Sequence, residues 1–489
     1  MELETVIGLE VHAQLKTQSK MYCSCSTAFG TEPNTQICPV CTGQPGVLPV
    51  ANHKAVEFVI MTGCALQSSI SAFSRFARKQ YFYPDMPKNY QISQFDTPLC
   101  IGGSVPIDLP DGTSKTISLT RIHLEEDAGK LLHQIGSRTI QGSLVDYNRT
   151  GVPLMEIVSE PDIQTPEEAY AYLVSLKEIL EYIGVSDCNM EEGKLRCDAN
   201  ISLRPKGQKE LGVKTELKNM NSFKHVRAGI AYEINRQAEI LVTGGRIIQE
   251  TRLWDAARNM SESMRSKEES HDYRYFPEPD LVPIVFSKKH IEEIRNKIPE
   301  LPRKIRQRVM DMYGLSSYDA GVLTADKKLA AYFESTLDSL PQAMKGKPHV
   351  SKLVSNWITT ELLGRLHASG LSIETSPITP AHMGKLISLI EQQTISGKIA
   401  KTVFEAMVTD HVNPETYVQE KDLAQINDEH ALGSIADEII AANKKIVDQY
   451  KSGKEQALLS LIGQVMKKTG GRANPPMVNS ILKEKLSSH

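Results

Sequence analysis

The chain has 489 residues, of which 40% are hydrophobic and 24% are charged, and its formal net charge is −3. That length is too great for one hydrophobic core, so we expect two to four domains, and the small net charge excludes a chain coated with basic residues for indiscriminate nucleic-acid binding. No apolar run is long enough for a membrane helix, and acidic residues stand where a signal peptide needs basic ones, so we expect a cytoplasmic protein without membrane contact.

The first 160 residues have the pattern of short β-strands. Apolar or alternating runs at 6–11, 115–124 and 142–146 are separated by clusters of Gly, Pro and Asn. Similar runs return at 195–203 and 213–217. Because regular alternation of strands and helices is missing, the pattern predicts an α+β domain with an antiparallel sheet.

One helix between these strands has clear boundary signals. Thr165 is a suitable N-cap, Pro166 occupies the first helical position, and Glu168 can complete a capping box. Apolar residues then recur at helical spacing over 169–183, and Gly184 supplies a stop.

After Pro283 the sequence changes to long helical patterns without cysteine. Proline-marked breaks at 340–348 and 376–380 suggest further boundaries. The sequence therefore predicts a domain at 1–290, an all-α helical domain at 291–380 and a helical tail domain at 381–489.

Four of the eight cysteines lie within residues 23–41, as the close pairs Cys23/Cys25 and Cys38/Cys41. Four thiolates on two tight turns can surround Zn²⁺ at about 2.3 Å, and such a closed site is structural. The first pair has one intervening residue where two are usual, and simple packing of the thiols is the alternative. The other four cysteines are expected in the core.

Carboxylates recur in patterns suited to Mg²⁺, which prefers oxygen ligands. Glu10 and His12 lie on one face of a predicted strand, although such a pair can also be a surface ion pair. Two further acidic clusters are present: one contains Glu125, and the other contains Glu192 and Asp198.

Cations that could meet phosphate lie in three polar segments, at 78–91, 146–149 and 271–280. Each can be an ion-paired loop, but together with the carboxylates they favour a phosphoryl-transfer site. No P-loop motif and no serine-rich amidase segment is present, so we do not expect this chain to produce ammonia.

The C-terminal part is polarised in charge. Residues 401–443 contain nine acidic and two basic residues, whereas 444–489 contain nine basic and three acidic ones. The basic part includes Lys467, Lys468 and Arg472 around a glycine-rich turn, which suits contact with RNA phosphates. A solvated helix face is the alternative interpretation.

One contiguous segment identifies a family. Residues 145–161 read VDYNRTGVPLMEIVSEP, which resembles the signature of the B-subunit family of aspartyl/glutamyl-tRNA amidotransferases. Further segments that resemble this family lie at 7–12, 81–85, 123–127, 272–277 and 471–475, so the resemblance covers essentially the full chain.

The resemblance implies a fold and a reaction. It implies a glutamine-synthetase-like cradle followed by a helical domain and a tRNA-binding tail. Members of the family use Mg-ATP to phosphorylate the side-chain carboxylate of Glu mischarged on tRNA(Gln), or of Asp on tRNA(Asn). Ammonia that an amidase (glutaminase) partner releases from glutamine then displaces phosphate, and a small third subunit stabilises the heterotrimer.

The resemblance also suggests residue roles. It places Mg²⁺ on Glu10, His12 and Glu125, with a further carboxylate at Glu192 or Asp198; because imidazole is an unusual Mg²⁺ ligand, a water-mediated or Mn²⁺-tolerant site stays possible. The zinc cysteines occur in part of the family, and all four are present here. The predicted cationic contacts are Lys79, Lys88 and Arg149 for catalysis, Arg274, Lys130 and Lys194 for ATP, and Lys467, Lys468 and Arg472 for tRNA.

Two other hypotheses stay open at this point. The chain could be a non-catalytic tRNA-binding scaffold whose carboxylates are structural. It could also be a self-sufficient amide ligase that takes free ammonia.

Overall fold

A computed structural model describes residues 2–135, 138–264 and 273–487. His271 and Asp272, which open the third predicted polar segment, lie outside the described residues. The chain forms two compact units, Met1–Leu301 and Pro302–His489. The first unit is rich in β-sheet and the second is helical, which confirms the predicted mixture of a sheet domain followed by helices. The further boundary near residue 380 stays a prediction.

The described strands all belong to the first unit. They are β1 (Leu3–Gln14), β2 (Ser69–Ile70), β3 (Phe73–Ser74), β4 (Ala77–Gln80), β5 (Tyr90–Ser93), β6 (Cys100–Ile101), β7 (Ser104–Asp108), β8 (Ser114–Glu126), β9 (Lys130–Ile135), β10 (Arg138–Asp146), β11 (Pro153–Ser159), β12 (Leu195–Pro205), β13 (Thr215–Lys218), β14 (Glu250–Asp255), β15 (Met260–Ser263), β16 (Phe276–Pro277) and β17 (Ile284–Val285).

The described helices of the first unit are α1 (His53–Ala65), α2 (Pro166–Tyr182), α3 (Phe223–Val242) and α4 (Lys288–Arg295). The helices of the second unit are α5 (Pro302–Tyr313), α6 (Ser317–Thr324), α7 (Lys327–Asp338), α8 (Pro348–Asn356), a π-helical segment (Trp357–Leu362), α9 (Leu363–Ala368), a short 3₁₀ turn (Ile373–Thr375), α10 (Pro380–Glu391), α11 (Gly397–Thr409), α12 (Pro414–Glu420), α13 (Glu429–Ala442), α14 (Lys444–Lys451), α15 (Gln456–Lys468) and α16 (Pro475–Ser487).

The main sheet has ten strands in the order β15-β14-β13-β12-β1-β11-β8-β6-β2, with β7 paired to β8. Every pair in it is antiparallel except β13 with β14, which is parallel. Four of the five predicted strand runs fall within observed strands, and the fifth, at 213–217, begins two residues before β13. The antiparallel pairing expected from the sequence is therefore found in all but one pair.

The two faces of the sheet differ because side chains alternate along each strand. In β1 the apolar residues from Ile7 to Ala13 are buried at every second position and join the core with residues of α2 and α3. The alternate positions carry Glu10 and His12 to the opposite face. Strand alternation thus separates the hydrophobic core from a polar surface that one strand shares with its neighbours.

Helix α2 begins where the sequence predicts. The Thr165 hydroxyl accepts the Glu168 backbone N–H, and Pro166 is the first helical residue. The capping box differs in one detail, since the Glu168 carboxylate accepts the N–H of Gln164 at 2.8 Å and pairs with Lys115. The helix buries its apolar side in the core of the first unit.

In the second unit, α13, α15 and α16 pack around a separate apolar cluster that includes Leu432, Leu461 and Leu482. The predicted breaks are present as the loops before α8 and α10, each of which starts at a proline. Within the described ranges, no helix is both long enough and apolar enough to cross a membrane.

Candidate active site

The centre of the main sheet carries a concentration of charge on the face opposite the core, which we call the polar sheet face. Its members are Glu10 and His12 of β1, His123 and Glu125 of β8, Glu156 of β11, and Arg196 and Asp198 of β12. Strand register brings them together, because Glu156 is the cross-strand partner of both His12 and His123. Partners in register point to the same side of an antiparallel sheet.

Three of these side chains are close enough to share one metal ion. Donor atoms of His12, Glu125 and Glu156 all lie within 4.8 Å of one another. The Nε2 atom of His12 is 3.3 Å from a Glu156 carboxylate oxygen and 4.0 Å from Glu125 Oε2. Two carboxylates and one imidazole therefore meet at one point, and the chemistry of these donors fits a divalent cation.

His123 holds the two carboxylates from the side. Its Nε2 atom lies 3.4 Å from Glu125 Oε1 and 3.6 Å from Glu156 Oε2, and its side chain is buried. Ser93 donates a hydrogen bond of 2.8 Å to Glu125, and Gln91 donates one of 3.2 Å. Glu125 is thus fixed from several directions.

The electrostatics keep these carboxylates ionised. Burial works to raise the pKa of Glu125, but His123 and Lys79 outweigh it and hold that pKa well below its usual range. Burial likewise opposes the charged form of Glu156, whose pKa is lowered by His123. The pKa of His12 is raised, because Glu156 and Glu125 outweigh its burial. Glu10 differs, since burial and the neighbouring Glu156 raise its pKa.

Lys79 is the predicted cation that faces this group. It lies in β4, and its ammonium is 5.0 Å from the centre of the Tyr273 ring. Burial opposes its charge, but Glu125 and Glu156 raise its pKa, so the lysine stays protonated. Its charge complements the two carboxylates.

Lys88, a second predicted catalytic cation, is engaged elsewhere. Its Nζ lies 2.5 Å from both oxygens of Glu126, and only 8% of the Lys88 side chain and 1% of the Glu126 side chain are exposed. Glu126 also accepts the backbone N–H of Ile92 at 2.9 Å. Together these contacts tie β5 and the residue segment just before it to the end of β8.

Arg149 supports the backbone beside the site. Its guanidinium donates to the carbonyls of Ala128 and Gly129 at 2.8 and 2.7 Å. It also lies 3.7 Å from the buried Asp127, which Arg196 contacts at 2.9 Å. The pKa of Asp127 is lowered because Arg196 and Arg149 outweigh its burial.

The other predicted ligands and cations are more scattered. Glu192 is paired with Lys194 at 2.6 Å and is not part of the metal-binding group, and Lys194 also contacts Asp187. Asp198 is the cross-strand neighbour of Glu10 and lies 3.4 Å from Lys218. Lys130 is exposed at the start of β9, opposite Asp146.

Arg274 is exposed and has a positive φ of 44°. A non-glycine residue in this region of backbone space is held there by its surroundings. It directly follows Tyr273, whose ring lies against Lys79. The chain at Arg274 therefore has a specific conformation near the predicted catalytic lysine.

The structure adds Glu156 and His123 to the residues predicted for this site. Glu156 was identifiable as a lone carboxylate in the otherwise apolar run of β11, since charged residues are rarely buried without a partner. His123 precedes Glu125 by two positions, which places both on one face of β8.

The four clustered cysteines form a second candidate site. Their sulfur atoms all lie within 4.8 Å of one another, and none forms a disulfide. The buried Lys20 directs its ammonium toward Cys41 at 3.6 Å. The Cys23 thiol, the Cys38 backbone and Lys20 together lower the pKa of Cys41. Cys100, Cys188 and Cys197 are buried, as predicted, and Cys64 packs partly buried against the core.

A cavity of about 210 Å³ is lined both by residues of the cysteine site and by Glu126 at the end of β8. Its lining includes Cys41 and Lys20 on one side and the Lys88–Glu126 pair on another. The lining therefore combines thiols with a buried ion pair.

The three predicted RNA-binding cations lie at the end of α15 and in the turn that follows. Lys467 is exposed, Lys468 pairs with Glu438, and Arg472 lies 2.6 Å from the Asp422 carboxylate. Two of the three are therefore engaged with acidic residues of the 401–443 segment.

Comparison with known proteins covers both units. A family model described as "GatB/GatE catalytic domain" matches residues 5–292, and one described as "GatB domain" matches residues 332–486. A protein of Carboxydothermus hydrogenoformans is 56% identical over 486 residues, with 99% of each chain covered. A relative from Caldanaerobacter subterraneus is 55% identical, with 100% of both chains covered. A relative from Syntrophotalea carbinolica is 51% identical, with 99% of this chain and 98% of the relative covered. All three are named as the B subunit of aspartyl/glutamyl-tRNA(Asn/Gln) amidotransferase. The chain therefore belongs to the family of aspartyl/glutamyl-tRNA(Asn/Gln) amidotransferase B subunits.

Proposed function

We propose that this chain activates the side-chain carboxylate of Glu mischarged on tRNA(Gln), or Asp on tRNA(Asn), with ATP and supports its conversion to the amide. Family membership supports the overall reaction. The observation that carries the site is the group of His12, Glu125 and Glu156 facing Lys79. Carboxylates for a cation and a lysine for phosphoryl charge are the parts that phosphoryl transfer requires.

His12, Glu125 and Glu156 would hold Mg²⁺, with Glu10 and Asp198 beside them on the same face. When bound, the ion supplies positive charge that orients ATP phosphates and offsets the charge of the transferring group. His123, Ser93 and Gln91 keep the Glu125 carboxylate in place, so its oxygens need little rearrangement to act as ligands.

Lys79 is the group that we propose to contact the reacting phosphate or carboxylate. Its ammonium stays charged in a partly buried position, where electrostatic interactions are stronger than in water. A free carboxylate is a poor electrophile, and its phosphorylation provides a leaving group for attack by ammonia. The acyl phosphate must be protected from water, for which an enclosed site is needed.

We propose different roles for the remaining predicted cations. Lys88 and Arg149 act through their partners, because the first is paired with Glu126 and the second with backbone carbonyls. Arg274, Lys130 and Lys194 are proposed to contact ATP. The mostly antiparallel sheet with one polar face is compatible with a glutamine-synthetase-like cradle.

Zinc is proposed for Cys23, Cys25, Cys38 and Cys41, because four thiols within 4.8 Å fit its preference for a closed sulfur site. A bound ion would link the two turns that carry the cysteines. Cobalt substitution tests this site, since thiolate ligands produce characteristic charge-transfer absorption. We expect Cys38→Ser to remove that absorption, and an unchanged spectrum would contradict the assignment.

The partners follow from the missing chemistry. Because the sequence has no serine-rich amidase segment, we propose that an amidase (glutaminase) partner supplies ammonia and that a small third subunit completes a cytoplasmic heterotrimer. Lys467, Lys468 and Arg472 are proposed to contact tRNA phosphates. Amide formation from glutamine by the purified chain alone would overturn this division of labour.

The decisive experiment replaces Glu125 by Gln in the reconstituted complex. We expect tRNA-dependent ATP hydrolysis and amide formation to fall by at least about 10²-fold, because a metal-binding charge is removed. Glu262→Gln is the matched control, since Glu262 is an exposed strand carboxylate paired with Arg258. If both activities survive Glu125→Gln, the chain is a tRNA-binding scaffold and the catalytic assignment is wrong.

A further inference from the structure

A separate group of metal-ligating side chains joins two helices of the first unit. His53 and Glu57 lie in α1, and His290 lies in α4. One donor atom from each is within 4.8 Å of the other two. None of these residues belongs to the polar sheet face or to the cysteine site.

The positions of the three side chains follow from helix geometry. His53 and Glu57 are four residues apart and therefore share one side of α1. The Nδ1 atom of His53 is 3.9 Å from Glu57 Oε1. This spacing of two ligands along one helix turn also occurs in established zinc motifs.

His290 approaches from α4. Its backbone N–H is donated to the Ser287 side chain at the helix N-terminus, and its ring stacks on Phe286 with centroids 5.8 Å apart. The centroids of the His290 and His53 rings are 6.1 Å apart. The imidazole is thus placed by the start of its helix and by an aromatic neighbour.

A lysine competes for the same carboxylate but uses its other oxygen. Lys54 Nζ lies 3.1 Å from Glu57 Oε2, whereas Oε1 is the oxygen nearer His53. The Glu57 side chain is 15% exposed. The carboxylate therefore retains its Oε1 atom for a ligand.

We propose that His53, Glu57 and His290 bind a divalent transition-metal ion of the Zn²⁺ class. Zn²⁺ commonly binds imidazole and carboxylate ligands together, whereas Mg²⁺ favours oxygen ligands alone. Ligand atoms about 2.0–2.1 Å from Zn²⁺ lie roughly 3.3 Å apart in a tetrahedron, so small side-chain rotations would close this group. The side chain of His53 is 73% exposed, which leaves an entry path for the ion.

Such an ion would fasten α4 to α1. Helix α4 has eight residues, and Ile294 is its one buried side chain. A ligand from each helix would add a further connection between them, so metal binding stabilises the arrangement of the two helices. The site is independent of the proposed reaction on the polar sheet face.

The test is calorimetric titration of the full chain with Zn²⁺, carried out alongside Co²⁺ spectroscopy. We expect His53→Ala and His290→Ala each to bind one Zn²⁺ equivalent fewer, or to bind that equivalent with an affinity lower by at least about tenfold. Glu57→Gln should lower the affinity for the same Zn²⁺ equivalent. The lost Co²⁺ signal should lack thiolate charge-transfer absorption, which separates this site from the cysteines. His133→Ala, at an exposed histidine outside the group, is the control.

Equal metal stoichiometry and affinity in the chain as it stands and in the His53→Ala/His290→Ala double variant would overturn the proposal. Loss of binding in the histidine variants without any effect of Glu57→Gln would also overturn the three-ligand site. Circular dichroism of each variant checks that the fold is retained, which the exposure of His53 leads us to expect.

Discussion

The polar sheet face with its flanking residues and the C-terminal helices α13–α16 both concentrate charge, but in opposite environments. Next to the polar sheet face, the side chains of Lys88 and Glu126 are 8% and 1% exposed. In the C-terminal helices, the side chains of the Lys468–Glu438 pair are 44% and 64% exposed. In the buried pair, the attraction between the charges must offset a large desolvation cost. In the exposed pair, water screens the charges, so the pair contributes little to the free energy of folding.

The contrast separates two ways of using charge. Burying charged side chains is weak evidence for stability, so a buried network of two imidazoles and two carboxylates points to a function that requires it. Exposed pairs can open at little cost. Cations held in such pairs stay available for a phosphate that arrives with a ligand.

The largest expected effect comes from breaking the buried Lys88–Glu126 pair. Lys88→Met leaves Glu126 charged and buried without its partner, so we expect the free energy of unfolding of the first unit to fall by about 3–5 kcal/mol. Denaturant unfolding monitored in the first unit measures this. Lys206→Met is the control, because both Lys206 and its partner Glu2 are mostly exposed, and we expect a loss below about 1 kcal/mol.

The double variant Lys88→Met/Glu126→Gln sharpens the same test. Removing both charges should recover much of the lost stability, since no uncompensated carboxylate remains. If Lys88→Met is no more harmful than Lys206→Met, the distinction between buried and exposed pairs fails for this protein.

The next effect concerns the cation that faces the polar sheet face. We expect Lys79→Met to lower the rate of tRNA-dependent amide formation by about 10²–10³-fold, or about 2.7–4 kcal/mol, because an electrostatic contact to the reacting group is lost. The assay is performed on the reconstituted complex at saturating substrates. Lys177→Met is the control, since Lys177 of α2 forms an ordinary i,i+4 pair with Glu181. Full activity of Lys79→Met would remove this lysine from the site.

A smaller, pH-dependent effect is expected in the second unit. Asp319 accepts hydrogen bonds of 2.6 Å from Lys352 and from Ser316, and these contacts lower its pKa. A carboxyl with a lowered folded-state pKa stabilises the fold above its unfolded pKa, near about 3.9, and loses that contribution as the pH falls through the folded value. Because Lys352 is half exposed, we expect roughly 1 kcal/mol.

Unfolding of the chain and of Asp319→Asn as a function of pH measures this contribution. The stability difference should be constant near neutrality and shrink below about pH 4. Asp311→Asn, at an exposed position of α5, should show little difference at any pH. A difference for Asp319→Asn that persists unchanged in acid would show that the pair is not its source.

Local signals predicted local structure well. Thr165 and Pro166 fix the start of α2 through their own chemistry, and alternation in β1 separates its two faces without knowledge of its neighbours. The site depends on strand order instead. Glu156 lies far from His12 along the sequence, and only the β1–β11 pairing makes them partners. Spacing along the chain could not supply that pairing.

The charge pattern of the C-terminus illustrates the same limit. Acidic and basic residues are separated along the sequence, and the predicted RNA-binding cations lie in the basic part. In the folded unit Lys468 pairs with Glu438, Lys485 with Asp437 and Arg472 with Asp422. Helix packing therefore brings the two charge types together at these positions.

These exposed pairs lead to the smallest stability effect, and also to the test that separates folding from binding. We expect Lys468→Ala to change the free energy of unfolding by less than about 1 kcal/mol, since its pair is mostly exposed. If its cation contacts phosphate, tRNA affinity should fall. The magnitude of the slope of the logarithm of the tRNA association constant against the logarithm of the salt concentration should also decrease by about 0.7–0.9 for each lost contact. Lys401→Ala is the control, because Lys401 pairs with Glu361 outside the basic segment.

Arg472 also donates a hydrogen bond of 2.8 Å to the Asp422 carbonyl, so Arg472→Ala should affect both stability and tRNA binding, whereas Lys468→Ala should affect mainly tRNA binding. Unchanged tRNA affinity and salt dependence in both variants would assign these cations to the packing of the helices.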